Sequence, residues 1–405
     1  MGGYSPADIA EVYAVNPDQS TTVTVAVVAA FSNPRLKADL NVFNRRYGLQ
    51  AETRQSFAIY NQAGAVTPLP SPRSDWATEQ SLDVQAVRGI CHTCRIVVIQ
   101  ANTDANADLA AAENRAALLG ATVITNSFGE PEPAGQIDPA VVAGFDHPGI
   151  AVIAGSGDNG MDSWDLYNIG GQSANAPVYP ASLPTVVAVG GTSLQTTASG
   201  SRSTETVWND DGPADQYGSL LGQFGIELGA TGGGCSTKFA APLWQQAVRT
   251  WAATRCGTHR LSADIAAVGD PLTGYDIYDS YGQAGGWATI GGTSLSAPLI
   301  AGMWGLAGGP SGTTYPAQDL YSRPRTAFYD VTQGGNGFCG GLTAAACKSQ
   351  AGGSPNTFGA GYLDCAYKPG TATAVTGTAA CDARVGYDGP SGLGTPRGLS
   401  AFTLH

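Results

Sequence analysis

Apolar residues along this chain form two kinds of segment that alternate with each other. Continuous, β-branched runs such as Thr22–Ala30 predict strands that are buried on both faces of a parallel sheet. Further strands are predicted at Arg95–Ala101, Ala121–Asn126, Ile150–Gly155, Val186–Val189, Ile265–Val268, Asp276–Tyr278 and Trp287–Ile290. Helices are predicted between strands, at Ser5–Ala10, Leu36–Tyr47, Trp76–Ile90 and Ala105–Leu119. The alternation predicts an α/β fold with a central, mostly parallel sheet and helices on both faces.

Helix caps and loops complete this outline. Ser5 is expected to cap the first helix, and Ser74 or Asp75 the helix that ends at Ile90. Residues from Gln195 to about Arg260 are rich in glycine and polar side chains and are expected to form a surface excursion. Since the chain has no internal repeat and no linker, a single domain over residues 1–405 is predicted.

A serine lies at a predicted strand-to-helix junction. Gly291 and Gly292 follow the strand, and Thr293 and Ser294 begin an apolar run with Pro298 in its first turns. A serine in this position is held exposed, with its hydroxyl at the positive end of a helix, which is how a nucleophile is presented. The alternative interpretation is an ordinary N-cap, because Thr and Ser are preferred there.

Composition narrows the class of protein. Charged residues are 13% of the chain, the net charge is −12 and only four residues are lysine, which argues against a nucleic-acid partner. Below about pH 4 the carboxylates are largely neutral and the few basic groups repel weakly, so the composition suits a protein that works in acid, as well as a plain acidic one. Eight cysteines predict disulfides and a secreted protein, and no apolar run is long enough for a membrane span.

Three carboxylates lie where chemistry is possible. Glu79 and Asp83 are four residues apart on a predicted helix and so share one face, where paired carboxyl groups can divide into an acid and a base. A solvated acidic helix face is the alternative. Asp158 follows a buried strand in a glycine-rich segment, which is also typical of a simple turn.

Histidine and cysteine motifs point away from other chemistries. None of the four histidines, His92, His147, His259 and His405, has the sequence context that a Ser–His–Asp hydrolase needs. Cys91 and Cys94 flank His92 and Thr93, but they have no second pair at zinc spacing and lie between a helix and a strand. A local disulfide is therefore favoured over a redox or zinc site.

Taken together, these motifs resemble the sedolisins, the serine-carboxyl peptidases of subtilisin-like fold. The resemblance runs from Ser5–Asp8 to Gly392–Pro396. It is carried by Glu79-x-x-x-Asp83, Ser156-Gly157-Asp158, Tyr179-Pro180-Ala181, Ala188–Thr192, Gly292-Thr293-Ser294 with Pro298, Asp330-Val331 and Gly386-Tyr387-Asp388. It implies a subtilisin-like three-layer fold, and a mature, secreted bacterial catalytic domain that has lost its propeptide; Met1-Gly2-Gly3 then resembles an added initiator.

The resemblance also implies catalytic roles. Ser294 is the nucleophile, Glu79 the general base and acid, Asp83 its proton-sharing partner, and protonated Asp158 the donor to the oxyanion. A carboxylate suits acid because imidazole is protonated there, whereas a Glu with a pKa of about 4.3 can act as base. An acid-active endopeptidase with an acyl-enzyme mechanism is therefore predicted. A catalytically inactive relative that only binds peptides is the alternative.

The same resemblance implies a cleft and a calcium site. Backbone of Asn126, Ser127, Phe128 and Gly129 is expected to pair with substrate, and Val178 stands where some relatives carry an acid, which makes the primary pocket less suited to basic side chains. One structural Ca²⁺, in loops within residues 325–396, is expected to bind the carboxylates of Asp330 and Asp388 and the carbonyls of Val331, Arg384 and Gly386.

Disulfides and partners follow from the same comparison. The proposed pairs are Cys91–Cys94, Cys235–Cys256, Cys339–Cys381 and Cys347–Cys365, although the last four cysteines allow three pairings. Expected partners are polypeptide substrates and the protein's own propeptide, with no nucleic acid and no membrane, and the protein is expected to be a monomer.

Overall fold

An eight-stranded sheet forms the centre of the molecule in the computed structural model, which describes residues 2–163, 176–210, 229–337 and 378–403. The strands of the described residues are β1 Thr24–Ala30, β2 Phe57–Asn61, β3 Arg95–Ala101, β4 Val123–Asn126, β5 Glu130–Pro131, β6 Ala151–Gly155, β7 Asn159–Met161, β8 Val178–Tyr179, β9 Val187–Thr196, β10 Arg202–Val207, β11 Ala230–Ala240, β12 His259–Ser262, β13 Ile265–Val268, β14 Tyr275–Asp279, β15 Gly286–Ile290, β16 Phe328–Tyr329 and β17 Thr395–Pro396. The central sheet has the order β10-β9-β6-β4-β1-β3-β2, with β13 also beside β9. All its pairings are parallel except that of β10 with β9.

Helices cover both faces of this sheet. Those in the described residues are α1 Pro6–Val12, α2 Leu36–Arg46, α3 Ser74–Ile90, α4 Asn106–Leu118, α5 Pro139–Ala143, α6 Leu243–Gln246, α7 Trp251–Thr254, α8 Thr293–Leu306 and α9 Ala317–Ser322. Short 3₁₀ turns occur at Pro271–Thr273, Arg325–Ala327 and Gly398–Ala401. None of these helices is long and apolar enough to cross a membrane. The α/β fold with a mostly parallel sheet, which the alternation predicted, is confirmed.

Strand β1 shows how the sequence determines which side chains face each of the two helix layers. Successive side chains of a strand point to opposite faces, so every second residue shares a face. Val25 and Val27 pack with α3 and α8 in the larger core cluster, whereas Ala26 and Val28 pack with α4 on the other side. Because both faces are covered, the strand is apolar throughout rather than alternating.

Helix α8 runs through the middle of the larger core. It is apolar on all sides, and Ser294 is its one residue that is not fully buried. Two of its glycines let it approach its neighbours closely: a Cβ on Gly302 would lie 2.3 Å from the side chain of Ile90 in α3, and one on Gly305 would lie 2.7 Å from the sulfur of Cys94. This close contact fixes α8 against α3, which carries the two paired carboxylates.

Three expectations about local structure need correction. Helix α8 is preceded by Gly292 as its N-cap, so Ser294 is not a cap, and α3 is preceded by Arg73 rather than capped by Ser74 or Asp75. The stretch after Gln195 is not all surface excursion, since β10 extends the central sheet and β11 is buried in its first half. Glycines of β11 serve close packing: a Cβ on Gly232 would lie 2.0 Å from the carbonyl oxygen of Ser156.

Two predicted disulfides are present, Cys91–Cys94 and Cys235–Cys256. Cys381 is also disulfide-bonded. Its predicted partner Cys339, and the predicted pair Cys347–Cys365, lie outside the described residues.

A buried carboxyl group lies behind the carboxyl edge of the sheet. Glu113 of α4 is fully buried, with neither carboxyl oxygen given a hydrogen-bond donor in good geometry by the described residues. Burial raises the pKa of Glu113 to about 8, although the nearby amide of Asn126 lowers it in part. The folded protein therefore holds this proton over a pH range in which the unfolded chain, with a Glu pKa near 4.3, has lost it.

Stability should consequently depend on the Glu113 proton. A carboxyl group whose pKa is raised by folding contributes stability that is complete below the unfolded pKa and is lost as the pH rises to the folded pKa. We expect the melting temperature to fall between about pH 4 and pH 8, with Glu113 contributing up to ~1.4 kcal/mol per pH unit. Glu113→Gln should flatten this fall in calorimetric melts across the range. The exposed Glu11→Gln is the matched control and should leave the slope unchanged; equal slopes for wild type and Glu113→Gln would contradict the assignment.

Candidate active site

Three elements bring the four predicted catalytic side chains together at the carboxyl edge of the sheet. Helix α3 carries Glu79 and Asp83, the loop after β6 carries Asp158, and the first turn of α8 carries Ser294. The hydroxyl of Ser294 lies near enough to Glu79 to lower its pKa as a hydrogen-bond donor, and the charges of Asp83 and Asp158 both act on Glu79 to raise it. Residues far apart in the sequence therefore form one cluster, at the place where open α/β sheets bind ligands.

Glycine at position 292 makes the approach of Asp158 to the serine possible. Gly292 has φ +94°, a backbone conformation that favours glycine, and a Cβ there would lie 2.7 Å from Oδ2 of Asp158. The other oxygen, Oδ1, accepts hydrogen bonds from the backbone N–H of Thr293 at 2.7 Å and from its hydroxyl at 2.8 Å. Asp158 is thus held beside Ser294, in reach of the position where a substrate oxygen would develop charge.

Thr293 is a functional residue that the sequence reasoning did not single out. Its hydroxyl donates to Asp158 and accepts from the backbone N–H of Gly157 at 3.1 Å, so it connects the loop after β6 to the start of α8. The only signal in the sequence is its place in the motif Gly292-Thr293-Ser294, which did not assign it a separate role.

The two carboxyl groups on α3 form a buried acidic pair. Asp83 is fully buried, and burial raises its pKa to about 8, against the effect of a hydroxyl donated by Ser127 at 2.6 Å. Burial and the negative charge of Asp83 raise the pKa of Glu79 well above its usual range, and the bond from Ser294 opposes this. Such a pair titrates as a unit and shares one proton over a wide pH range. The singly ionised pair contains both a base for Ser294 and a proton to return.

A cleft of about 300 Å³ opens onto Ser294. One wall is formed by Ser127–Pro131 and the other by Gly155, Gly157, Asp158 and Asn159. Val178 lies between the walls: a Cβ on Gly129 would lie 2.3 Å from one of its methyl groups, and one on Gly157 would lie 2.6 Å from the other. Of the predicted substrate-contacting residues, Ser127, Phe128, Gly129 and Val178 therefore line the cleft.

Asn126 does not line the cleft. Its side chain is fully buried and donates to the carbonyl of Ile153 at 3.1 Å. Ser127 is therefore the first residue of the predicted segment that lines the cleft, whereas Asn126 is the last residue of β4 and its side chain faces the interior.

The predicted calcium-binding loops also come together. Gly386 donates its backbone N–H to Asp330 at 3.0 Å, and Asp388, which is fully buried, accepts from the N–H of Arg384 at 2.9 Å and from Ser391. Burial raises the pKa of Asp388 to about 8, and the charge of Asp330 adds to the effect. In the described part of the chain no three His, Cys, Asp or Glu side chains cluster as metal ligands. These two carboxylates nevertheless offer oxygen ligands of the kind that Ca²⁺ prefers.

Comparison with known proteins gives a consistent set of relatives. A model described as the subtilase family, Peptidase_S8, matches residues 76–361. Sedolisin of Pseudomonas sp. (strain 101) is 28% identical over 353 residues, which are 84% of this chain and 57% of that protein. Kumamolisin of Bacillus sp. (strain MN-32) is 32% identical over 278 residues, 64% of this chain and 44% of that protein. The chain thus spans about half the length of these curated relatives. Some further relatives are named tripeptidyl-peptidases.

A solved structure agrees with this set. Pseudomonas sedolisin, described as a serine-carboxyl proteinase complexed with two molecules of pseudo-iodotyrostatin, superposes with a TM-score of 0.70 and 26% identity. The match covers 98% of this chain and 95% of that one. The described fold therefore corresponds to nearly the whole of that proteinase structure.

Proposed function

The chain belongs to the subtilase family, and we propose that it is a sedolisin-like serine-carboxyl endopeptidase that hydrolyses polypeptides in acid. The observation that carries the proposal is the neighbour of the nucleophile: the hydroxyl of Ser294 faces the carboxyl group of Glu79, on which it acts as a donor, and no described histidine joins them. The homology to sedolisin and kumamolisin supports the same class of enzyme. An inactive relative that only binds peptides is the competing proposal.

Each step of the proposed mechanism uses a group of the cluster. Glu79 takes the hydroxyl proton of Ser294 as its oxygen attacks the peptide carbonyl, and Asp83 shares the pair's other proton. Asp158, in its protonated form, donates to the oxyanion of the tetrahedral intermediate, together with the backbone N–H of Ser294; such a donor is worth ~10²–10³ in rate. Glu79 then returns the proton to the leaving amine. Water hydrolyses the acyl-enzyme by the reverse sequence of proton transfers.

Acid is the condition under which this set of groups works. The oxyanion donor must be a neutral carboxylic acid, and ionisation of Asp158 would place a negative charge beside the developing oxyanion. The acidic pair must have lost one proton and kept the other. The proposal therefore requires the pair to lose its first proton at a lower pH than Asp158 loses its own, and activity is expected to fall as the pH rises and Asp158 ionises.

A hydrolysis assay at two pH values tests this function. We expect the wild-type chain to degrade a denatured protein, and a peptide blocked at its N-terminus, at pH 3–4 but not at pH 8. Ser294→Ala should abolish the activity while the fold is kept. Ser296→Ala is a matched control on the same helix, because its hydroxyl bonds only the carbonyls of Ala267 and Val268; its loss should cost about 1 kcal/mol of stability and leave turnover in place.

Three other results would each change the proposal. A maximum of activity at pH 8 would contradict acid catalysis. No activity in a folded sample with calcium would favour the peptide-binding alternative. Cleavage confined to peptides with a free N-terminus would indicate a tripeptidyl-peptidase rather than an endopeptidase.

Val178 is proposed to set the preference for the residue before the scissile bond. Because an apolar side chain closes the cleft between Gly129 and Gly157, apolar or small side chains should be preferred over Lys and Arg. Val178→Asp should raise kcat/KM for peptides with Lys or Arg at this position at least about tenfold relative to Leu, as measured with blocked peptides near pH 5. Val178→Asn introduces a side chain with the shape of Asp but without its charge, and it should not raise this kcat/KM. An equal gain in both variants would rule out charge as the cause.

One calcium ion is proposed to stabilise the loops that carry Asp330 and Asp388, with the carbonyls of Val331, Arg384 and Gly386 as further ligands. When bound, it would supply positive charge to a buried carboxylate and tie the late loops to the body, without a part in catalysis. We also propose that the protein is secreted and monomeric, and that it is processed from a precursor that bears a propeptide. No nucleic-acid or membrane partner is expected.

Calcium should therefore raise the melting temperature. With Ca²⁺ at a hundredfold excess over its Kd, the gain is ~2.7 kcal/mol relative to a sample with chelator. Asp388→Asn should remove this gain in thermal melts, whereas Asp382→Asn, a nearby carboxylate outside the proposed ligand set, should retain it. A calcium-dependent gain of the same size in Asp388→Asn would contradict the site.

A further inference from the structure

The hydroxyl of Ser127 lies at the junction of the cleft and the acidic pair. Ser127 lines the cleft, yet its Oγ is 2.6 Å from Oδ1 of Asp83 and 3.3 Å from the carbonyl oxygen of Ser294. That carbonyl has no helical partner, because the residue four positions later is Pro298, which has no N–H. Two acceptors thus compete for the single proton of one hydroxyl.

The Ser127 hydroxyl donates its proton to the closer of the two acceptors. A hydrogen bond to an ionisable oxygen is stronger than one to a neutral carbonyl, so Ser127 donates to Asp83. Oδ1 of Asp83 is then occupied as an acceptor and is the poorer place for the proton of the acidic pair. Oδ2 of Asp83 and Oε1 of Glu79 are both buried and have no other partner among the described residues. They are the remaining places for that proton.

We propose that Ser127 is a positioning residue of the catalytic site: its hydroxyl orients the carboxyl group of Asp83 so that the proton shared with Glu79 stays on the oxygen opposite to Ser127. The inference rests on the proposed function, because it concerns the base that activates Ser294. It gives Ser127 a second role beside contact with substrate, and it couples the wall of the cleft to the acidic pair.

Nothing else described near Asp83 can take over this role. The end of β1 has Ala29 and Ala30, and the carbonyl of Ala30 is bonded by Gln80. Strand β1 and helix α8 bring no charged side chain, and Glu79 and Asp158 provide the negative charges of the cluster. Several other ionisable groups on α3 and the elements packed against it have partners of their own: Asp8 with Ser5, Asp39 with Ser280, Asp75 with Arg73, Arg88 with Glu52, Asp276 with Thr289 and Asp279 with Thr78. Of the rest, Glu11, Arg45 and Arg46 are exposed, and Lys37 and Arg95 are half-buried.

Removing the hydroxyl of Ser127 should shift the pKa of Asp83 in a defined direction. The bond from Ser127 favours the ionised form of Asp83 and lowers its pKa. Without the bond, the acidic pair should hold both protons up to a higher pH, so the acid limb of the activity profile should move upward. A hydrogen bond to a charged group corresponds to a shift of about one pH unit, which is about a tenfold loss of kcat/KM at a fixed pH on that limb.

The test compares pH profiles of kcat/KM for wild type, Ser127→Ala and Ser127→Thr on one blocked peptide. We expect the acid limb to move up by about one pH unit in Ser127→Ala and to return in Ser127→Thr, which keeps the hydroxyl. Val178→Ala, in the same cleft but with no described bond to the acidic pair, should change KM and leave the limb in place. A uniform loss of activity in Ser127→Ala, with an unmoved limb, would reduce Ser127 to a structural contact and overturn the inference.

A measurement that does not need turnover can test the positioning role of Ser127 independently of the proposed endopeptidase function. Carbon-13 shifts of the Asp carboxyl groups can be titrated in Ser294→Ala, with and without Ser127→Ala. A higher titration point for Asp83 in the double variant supports the inference, and an unchanged one contradicts it. If wild type is inactive in acid while Asp83 still responds to Ser127, the positioning contact stands and the endopeptidase proposal is wrong.

Discussion

Two carboxyl groups buried one helical turn apart are the constraint around which the site is built. The charges that act on Glu79 are those of Asp83 and Asp158, both negative, and burial adds to their effect. An ionised pair in such a place is costly, so the pair keeps a proton rather than recruiting a cation. In the proposed mechanism the carboxylate that remains in the pair does what imidazole does in other serine hydrolases, and the need for a neutral Asp158 confines that chemistry to acid. The other features of the site arrange groups around that proton.

The conformation and close packing of the backbone position the groups of the site. Gly292 allows Asp158 to reach the start of α8, and Thr293 then holds it by two bonds. Gly302 brings α8 against α3, and Gly305 brings it against Cys94 and Val25, so that the serine and the acidic pair are fixed by the packing of two helices. A site held by secondary structure in this way is more precise than one carried on loops alone, which suits proton transfers that need distances near 3 Å. The close packing and the chemistry therefore depend on the same few glycines.

The sequence predicted the parts of this structure that repeat a simple physical rule. Buried parallel strands are apolar throughout, and β1, β3 and β13 were found within two residues of their predicted bounds. The four catalytic positions came from ordered motifs and a family resemblance, since neither the i,i+4 spacing of Glu79 and Asp83 nor the glycines around Asp158 distinguishes a site from a helix face or a turn. Contacts between distant segments were not predictable. The inward turn of Asn126, the bond from Ser127 to Asp83 and the burial of glycine-rich β11 all depend on tertiary packing.

Carboxyl groups outside the site follow the same rule as the acidic pair. Burial raises the pKa of Glu113 and Asp388 to about 8, and that of Asp270, which accepts a bond from Ser193, in the same direction. Each of these groups contributes stability in acid that is lost as the pH rises, unless a cation replaces the proton, as calcium is proposed to do at Asp388. In acid the opposing charge is small, because the chain has only 20 lysine and arginine residues among 405. Low basic charge and buried, protonated carboxyl groups thus favour the folded state under the same conditions in which the acidic pair can serve Ser294. An acid-active enzyme needs both, because a catalytic carboxyl pair has no value in a fold that acid would unfold.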